Sequence, residues 1–347
     1  MITNLLLGLS LIALGAFSSG SFAVPFGKIK GWTWESQWLI YGVGAYVLFP
    51  LIACLIFTPN FITIYKLTST TTLVTVFLLG AVYGVGNLSF GLALRYLGLS
   101  LGYAFALGLM LVIGTLIPPM IDGKLWMMMA TSGGHLLIIG VAVAAVGIFF
   151  SAWSGILKDK TISQEKQQES VSEFNLFKGF MAAILVGITG SAMALGFEQG
   201  LPISNVAQQQ GIDPLFSMMP LLVILFSGTF ITTLIWCLFL GYKSKSISNY
   251  FKAESTKTLT FNYLFALLAG FLWFSQFIVY GMGKSKMGPY TFTSWGILMA
   301  LTIAFATIWG LIRKEWKGAS RKVYIIMVIS LIVIIASSFI IGISGSI

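Results

Sequence analysis

Charge is what this chain has least of. Asp, Glu, Lys and Arg together make up 9% of its 347 residues, and only ten are acidic. A soluble domain carries about 25% charged residues, so a water-facing globular surface is excluded over nearly the whole length. Histidine occurs once, at His135, behind Gly133-Gly134 and with no Cys, His or carboxylate at ligand spacing. That excludes a metal centre legible in the sequence. The two cysteines, Cys54 and Cys237, stand apart in apolar runs without CxxC spacing, so they read as core thiols and no disulfide is expected. The N-terminal Met1-Ile-Thr-Asn lacks a basic region, so the first apolar span is expected to be a retained helix and not a signal peptide. With one histidine and no paired catalytic carboxylates, little is present to run a membrane-embedded enzyme.

What is abundant is apolar surface. Hydrophobic residues are 57% of the chain and the mean hydropathy is +0.94, the signature of a polytopic helical protein whose surrounding partner is the lipid bilayer. The formal charge of +10 would hint at nucleic acid in a soluble protein. Here it is explained by Lys and Arg in cytoplasmic loops, and no nucleic-acid partner is expected.

Ten apolar spans are read at residues 4–24, 36–57, 73–95, 99–121, 134–153, 176–199, 215–241, 259–283, 291–312 and 323–344. Most exceed the roughly 20 residues needed to cross. Sixteen of the 20 basic residues fall in the loops after spans one, three, five, seven and nine, and the other four are Lys66, Lys124, Lys284 and Lys286. The positive-inside rule therefore places the odd-numbered loops in the cytoplasm and both termini on the periplasmic side.

The stretch Gly80 to Gly98 has an echo. Shifted by 190 positions, Gly80 falls on Gly270, Tyr83 on Trp273, Phe90 on Tyr280, Gly91 on Gly281, Gly98 on Gly288 and Phe105 on Trp295. The same shift carries Ser154-Gly155 onto Ser344-Gly345. These matches support an internal duplication. Five helices per copy is an odd number, so the second copy enters the membrane inverted. The expected fold is an all-α polytopic membrane protein: ten transmembrane helices as two inverted five-helix repeats, 1–153 and 176–347, joined by a polar cytoplasmic linker, 154–175.

Gly80, Gly84, Asn87, Gly91 and Arg95 share one face of span three. A mid-span amide needs a partner or a solvated cavity, so this face reads either as a packed interface or as a cavity wall. In span eight, Trp273, Gln276, Tyr280 and Gly283 share a face. Aromatic rings with one amide suit a sugar, whose C–H surface packs on ring faces while the amide orients hydroxyls; interhelical aromatic packing is the competing reading. Ser294-Trp295, Ser18, Ser19, Ser21 and Tyr83 add groups near the expected centre.

Among the acidic residues, Glu35, Asp159, Glu165, Glu169, Glu173, Glu254 and Glu315 are expected to be solvated charges in or beside cytoplasmic loops. Asp213-Pro214 is expected to start span seven as N-cap and first-turn proline. Glu198 differs, closing the chargeless run ILVGITGSAMALGFEQG in span six. A carboxylate in hydrocarbon costs about 2.5–3.5 kcal/mol on insertion scales and avoids that cost by taking up a proton, which suits a proton-coupling residue. Alternatively, span six ends early and Glu198 sits at the wet interface. Glu35 and Arg95 lie at the same membrane side and could close an inner gate, although a snorkelling Arg95 serves equally.

These residues also carry a family resemblance. Val24-Pro25-Phe26, Trp32-Thr33-Trp34-Glu35, the run GAVYGVGNLSFGLALRYLGLSLG with Gly114-Thr115-Leu116 after it, Gly133-Gly134, Gly211-Ile212-Asp213-Pro214, Trp273, Gln276, Tyr280, Ser294-Trp295 and Lys314-Glu315-Trp316 extend over nearly the full length. In them the chain resembles the L-rhamnose–proton symporters, a branch of the drug/metabolite transporter superfamily. The resemblance implies a central sugar site and proton-driven import of L-rhamnose through the bacterial inner membrane, with no cofactor beyond the co-transported H+. Two positions depart from the family pattern, Glu198 standing for an amide and Thr291 for an aspartate, so a related deoxysugar or pentose is left open as substrate. The rival expectations are an exporter or facilitator of another small metabolite, a membrane-embedded enzyme, and a scaffold protein.

Overall fold

The computed structural model describes residues 2–121, 123, 126–127, 130–161, 171, 173–287 and 294–344, and every regular element among them is helical. In chain order the α-helices are α1 (Ile2–Ser21), α2 (Trp34–Gly42), α3 (Phe49–Phe57), α4 (Phe61–Leu67), α5 (Thr70–Ile121), α6 (Ser132–Thr161), α7 (Leu176–Gln199), α8 (Leu201–Gln209), α9 (Met219–Lys243), α10 (Thr256–Lys286), α11 (Ser294–Ile312) and α12 (Arg321–Ser344). A π-helical turn, Val43–Leu48, joins α2 to α3. Among the described residues, seven segments are long and apolar enough to cross a membrane, and Leu5–Ser21 and Ile297–Ile312 are shorter apolar helices.

Local chemistry sets the boundaries. Thr131 Oγ1 accepts the Gly134 N–H and opens α6, and Asn175 Oδ1 accepts the Lys178 N–H and opens α7; both are side-chain caps on otherwise orphaned donors. α5 is broken at Gly98, whose φ of 80° and ψ of −174° only glycine adopts readily.

Span seven starts later than its sequence suggests. Asp213 caps a separate turn through Leu215 N–H, and the helix begins at Met219 with a proline in its first turn. The later start has a simple cause. Pro220 has no N–H to donate into a preceding helical turn, so the chain restarts there.

The chain forms two compact units, each drawing on both halves of the sequence. One comprises Met1–Gly20, Gly86–Ser191 and Met282–Ile347, the other Ser21–Val85 and Ala192–Gly281. In the first, α6 and α12 pack where glycines admit close approach: Gly140 lies against Ile341 and Gly147 against Ile334. In the second, α5 crosses α9 so closely that a Cβ on Gly80 would overlap the Leu225 carbonyl. Thr229 and Thr232 donate across that crossing to the Gly80 and Ala81 carbonyls. Small residues and hydroxyls replace hydrophobic contrast as the means of helix association in lipid.

Candidate functional site

The second unit is built around Trp273, which is 5% exposed on α10. Its indole is met edge to face by Tyr46, Phe226 and Phe277, each at 5.2 Å, with interplanar angles of 86°, 61° and 66°. Gln276 is buried beside it and donates Nε2–H to the Trp273 carbonyl at 2.8 Å. Tyr280 is half-buried one turn further on. Tyr83 is buried in the same unit. The unit therefore holds Trp273, Gln276, Tyr280 and Tyr83.

Sequence reasoning missed Tyr41 and Tyr46, the two phenols that complete the cluster. Tyr41 and Trp38 are buried with ring centroids 4.8 Å apart, and the Tyr46 hydroxyl donates to that of Tyr41 at 3.2 Å. The available signal was the spacing of Trp34, Trp38 and Tyr41, steps of four and three on one helical face.

The first unit holds the other candidates. Asn87 is 2% exposed on α5. The Ser19 carbonyl accepts the Tyr103 hydroxyl at 2.7 Å, and the Tyr103 ring packs edge to face on Phe90 at 5.1 Å. Ser294 is fully buried at the start of α11, and its hydroxyl finds no hydrogen-bond partner among the described residues. Trp295 beside it is 37% exposed. Thr291 lies outside the described residues.

The charged residues divide sharply. Glu198 is exposed in the last turn of α7. Glu35 and Glu315 are not the solvated loop charges expected from the sequence, being 5% and 4% exposed. Glu35 Oε1 accepts the hydroxyls of Ser244 and Ser246 at 2.6 and 2.7 Å. Glu315 accepts the N–H groups of Leu99 and Ser100. Both carboxylates accept hydrogen bonds that offset the cost of burying them. Arg95 forms a two-bond pair with Glu173 at 2.8 and 2.9 Å. Lys158 is 1% exposed, its ammonium 4.9 Å from the Phe174 ring and 5.1 Å from that of Trp316.

Around Glu35 the neighbouring loops are tied together by polar side chains. Asn262 clamps the Lys30 backbone, accepting its N–H at 3.0 Å and donating to its carbonyl at 2.8 Å. Trp32 packs edge to face on Tyr250 and Tyr263. Burial pushes the Tyr250 phenol up to about 12, so it stays a neutral hydroxyl.

Membrane-length helices that bury amide, hydroxyl and carboxylate groups along their inner faces define a polytopic membrane protein of the solute-transporter class. The chain belongs to the family described as L-rhamnose-proton symport protein (RhaT), whose model matches residues 1–346. It is 34% identical over 334 residues to the L-rhamnose-proton symporter of Escherichia coli (strain 55989 / EAEC), covering 95% of each chain. It is 33% identical to the symporters of that name from Cronobacter sakazakii (strain ATCC BAA-894), over 95% of this chain and 94% of the relative, and from Yersinia pestis (strain Pestoides F), over 97% of each. No solved structure matches.

Proposed function

We propose that this protein imports L-rhamnose together with protons across the bacterial inner membrane by alternating access, with no cofactor beyond the co-transported H+. The observation that carries the reading is the family match over residues 1–346, joined by relatives named for that activity along 95% of the chain. Trp273, Gln276, Tyr280, Tyr83, Asn87, Ser19, Ser294 and Trp295 are the residues read as contacting the sugar. An indole fixed by three edge-to-face neighbours supplies aromatic surface of the kind that packs on the apolar side of a pyranose. Glu198, exposed in the last turn of α7, couples the proton. Glu35 and Arg95 act at the cytoplasmic end, where access closes.

Ten helices in two inverted repeats fit this architecture. The longest membrane-length segment, Thr70–Ile113, is divided by the break at Gly98, and together with the two shorter apolar helices this supports ten spans. α6 and α12, fifth in each half, run antiparallel, since the partner number falls from Ile341 to Ile334 as Gly140 gives way to Gly147. Gly80 on α5 enters α9 at Leu225, while its shift-mate Gly270 on α10 enters the second span at Tyr41 and Ala45. A third helix on a seventh and an eighth on a second are the exchanged pairs that an inverted duplication generates. We read the repeats as 1–153 and 176–347 with the linker 154–175, and the excess of Lys and Arg puts the odd-numbered loops in the cytoplasm.

The test is uptake of labelled L-rhamnose into proteoliposomes with and without an inward proton gradient, for the unsubstituted protein and Glu198→Gln. Gradient-driven uptake lost in Glu198→Gln supports both parts. Uptake that survives the substitution moves coupling elsewhere, and no L-rhamnose uptake by folded protein rejects the substrate.

A further inference from the structure

The second span is not one continuous α-helix. α2 passes through the π turn Val43–Leu48 into α3, and the Phe49 N–H bonds the Gly44 carbonyl five residues back. Such turns insert one residue into a helix, are rare, and recur at functional sites. The consequence here is a shift of face. Continued as α-helix from Trp38 and Tyr41, the inner face would run through Leu48, Ile52, Leu55 and Ile56. Those four are exposed at 39%, 41%, 57% and 66%, while Tyr46, Pro50, Ala53 and Cys54 are buried in their place.

Tyr46 is the residue whose position changes most. On an α-helix it would stand about 140° round from Tyr41, at roughly 100° per residue. The π turn instead brings it one turn beyond Tyr41, the two rings edge to face at 5.6 Å and 80° with their hydroxyls 3.2 Å apart, and sets its ring edge to face with Trp273 at 5.2 Å and 86°. The fit is reinforced by α10, whose Gly270 lies directly on this segment. A Cβ there would come within 2.8 Å of both the Ala45 nitrogen and the Tyr41 carbonyl oxygen. Gly44 faces Gly270 in return.

We infer that Tyr46 is a positioning residue for sugar recognition: the π turn sets its ring against the Trp273 indole and fixes the angle at which the indole meets the C–H face of a deoxyhexose. The inference rests on the reading of Trp273 as a sugar contact. Removing the Tyr46 ring frees the indole to rock, and ordering it then falls to the incoming sugar, which weakens binding without altering the transport cycle itself.

The experiment measures initial rates of L-rhamnose uptake into proteoliposomes under an inward proton gradient, for Tyr46→Phe, Tyr46→Leu, Tyr46→Met and Trp273→Leu. The ring-free variants Tyr46→Leu and Tyr46→Met are expected to raise KM about fivefold or more, with a much smaller change in maximal rate per folded molecule. Tyr46→Phe, which keeps the ring, is expected to restore KM to within about twofold of the unsubstituted protein. Partial misfolding lowers the number of active molecules and hence the maximal rate, and leaves the KM of the rest readable. Ring-free variants with unchanged KM overturn the inference, as does a loss of maximal rate alone. If Trp273→Leu itself leaves KM unchanged, the sugar-contact reading falls; if Trp273→Leu raises KM while the ring-free Tyr46 variants do not, only the role of Tyr46 falls.

Discussion

Glu315 holds the start of a helical segment to which it does not belong: its Oε1 accepts the Leu99 N–H at 2.7 Å, and its Oε2 accepts the Ser100 N–H at 3.0 Å. The break at Gly98 strips these two donors of intrahelical partners, and a carboxylate is the group best suited to them. Hydrogen bonds to a charged group are worth about 1.5–3 kcal/mol each when buried. Glu315→Ala is therefore expected to cost several kcal/mol, and Glu315→Gln, which keeps one acceptor oxygen, about half as much. Thermal unfolding in detergent checks the order; equal melting temperatures for Glu315→Ala and the unsubstituted protein reject it.

Gly98 is the other half of that junction. Its backbone conformation costs a non-glycine residue about 1–3 kcal/mol, and a Cβ would lie 2.8 Å from both Glu315 Cδ and Val171 Cγ2. Gly98→Ala is expected to lose more stability than Glu315→Gln, since strain and overlap act together. A Gly98→Ala protein as thermostable as the unsubstituted one would contradict the break.

Not all carboxylates here deserve that weight. The Arg95–Glu173 pair has side chains 29% and 47% exposed, where an ion pair contributes about 0–1 kcal/mol and is screened by salt. Glu173→Ala is expected to lower stability by less than about 1 kcal/mol, with the deficit shrinking as salt is raised. Glu35 stands at the opposite extreme. A double-substitution cycle between Glu35→Gln and Ser246→Ala is expected to show a coupling of about 1 kcal/mol, because the serine hydroxyl points into a buried carboxylate. Additive losses would dissolve that bond.

These contrasts explain what could be read from the chain. Apolar runs and the loop excess of Lys and Arg are written in composition, so the helices and their proposed orientation were legible. Trp273, Gln276 and Tyr280 were legible because α10 keeps its 3.6-residue period. Tyr46 was not, because the π turn changes the phase of the inner face one turn beyond Tyr41. The burial of Glu35 and Glu315 was hidden for a different reason. Their donors are backbone N–H groups and serine hydroxyls more than 200 positions away, and neither donor type announces a charge partner in sequence. Asp213-Pro214 has the chemistry of a helix start, but Pro220, six residues later, is the one the helix uses.

The proposed orientation makes a separable prediction. Cys54 and Cys237 are both buried thiols, so the natural protein should react little with a membrane-impermeant maleimide, since reaction needs an accessible thiolate. That gives a quiet background for single cysteines placed on exposed loop positions. Gln210, in the loop between spans six and seven, and Ser248, between spans seven and eight, are both exposed. With odd-numbered loops in the cytoplasm, Gln210→Cys is expected to label in intact spheroplasts and Ser248→Cys only after the membrane is opened. The reverse pattern would invert the orientation and, with it, the side from which Glu198 meets its proton. Labelling of both residues without permeabilisation would instead remove a membrane crossing from between them, and the membrane-length helix Met219–Lys243 with it.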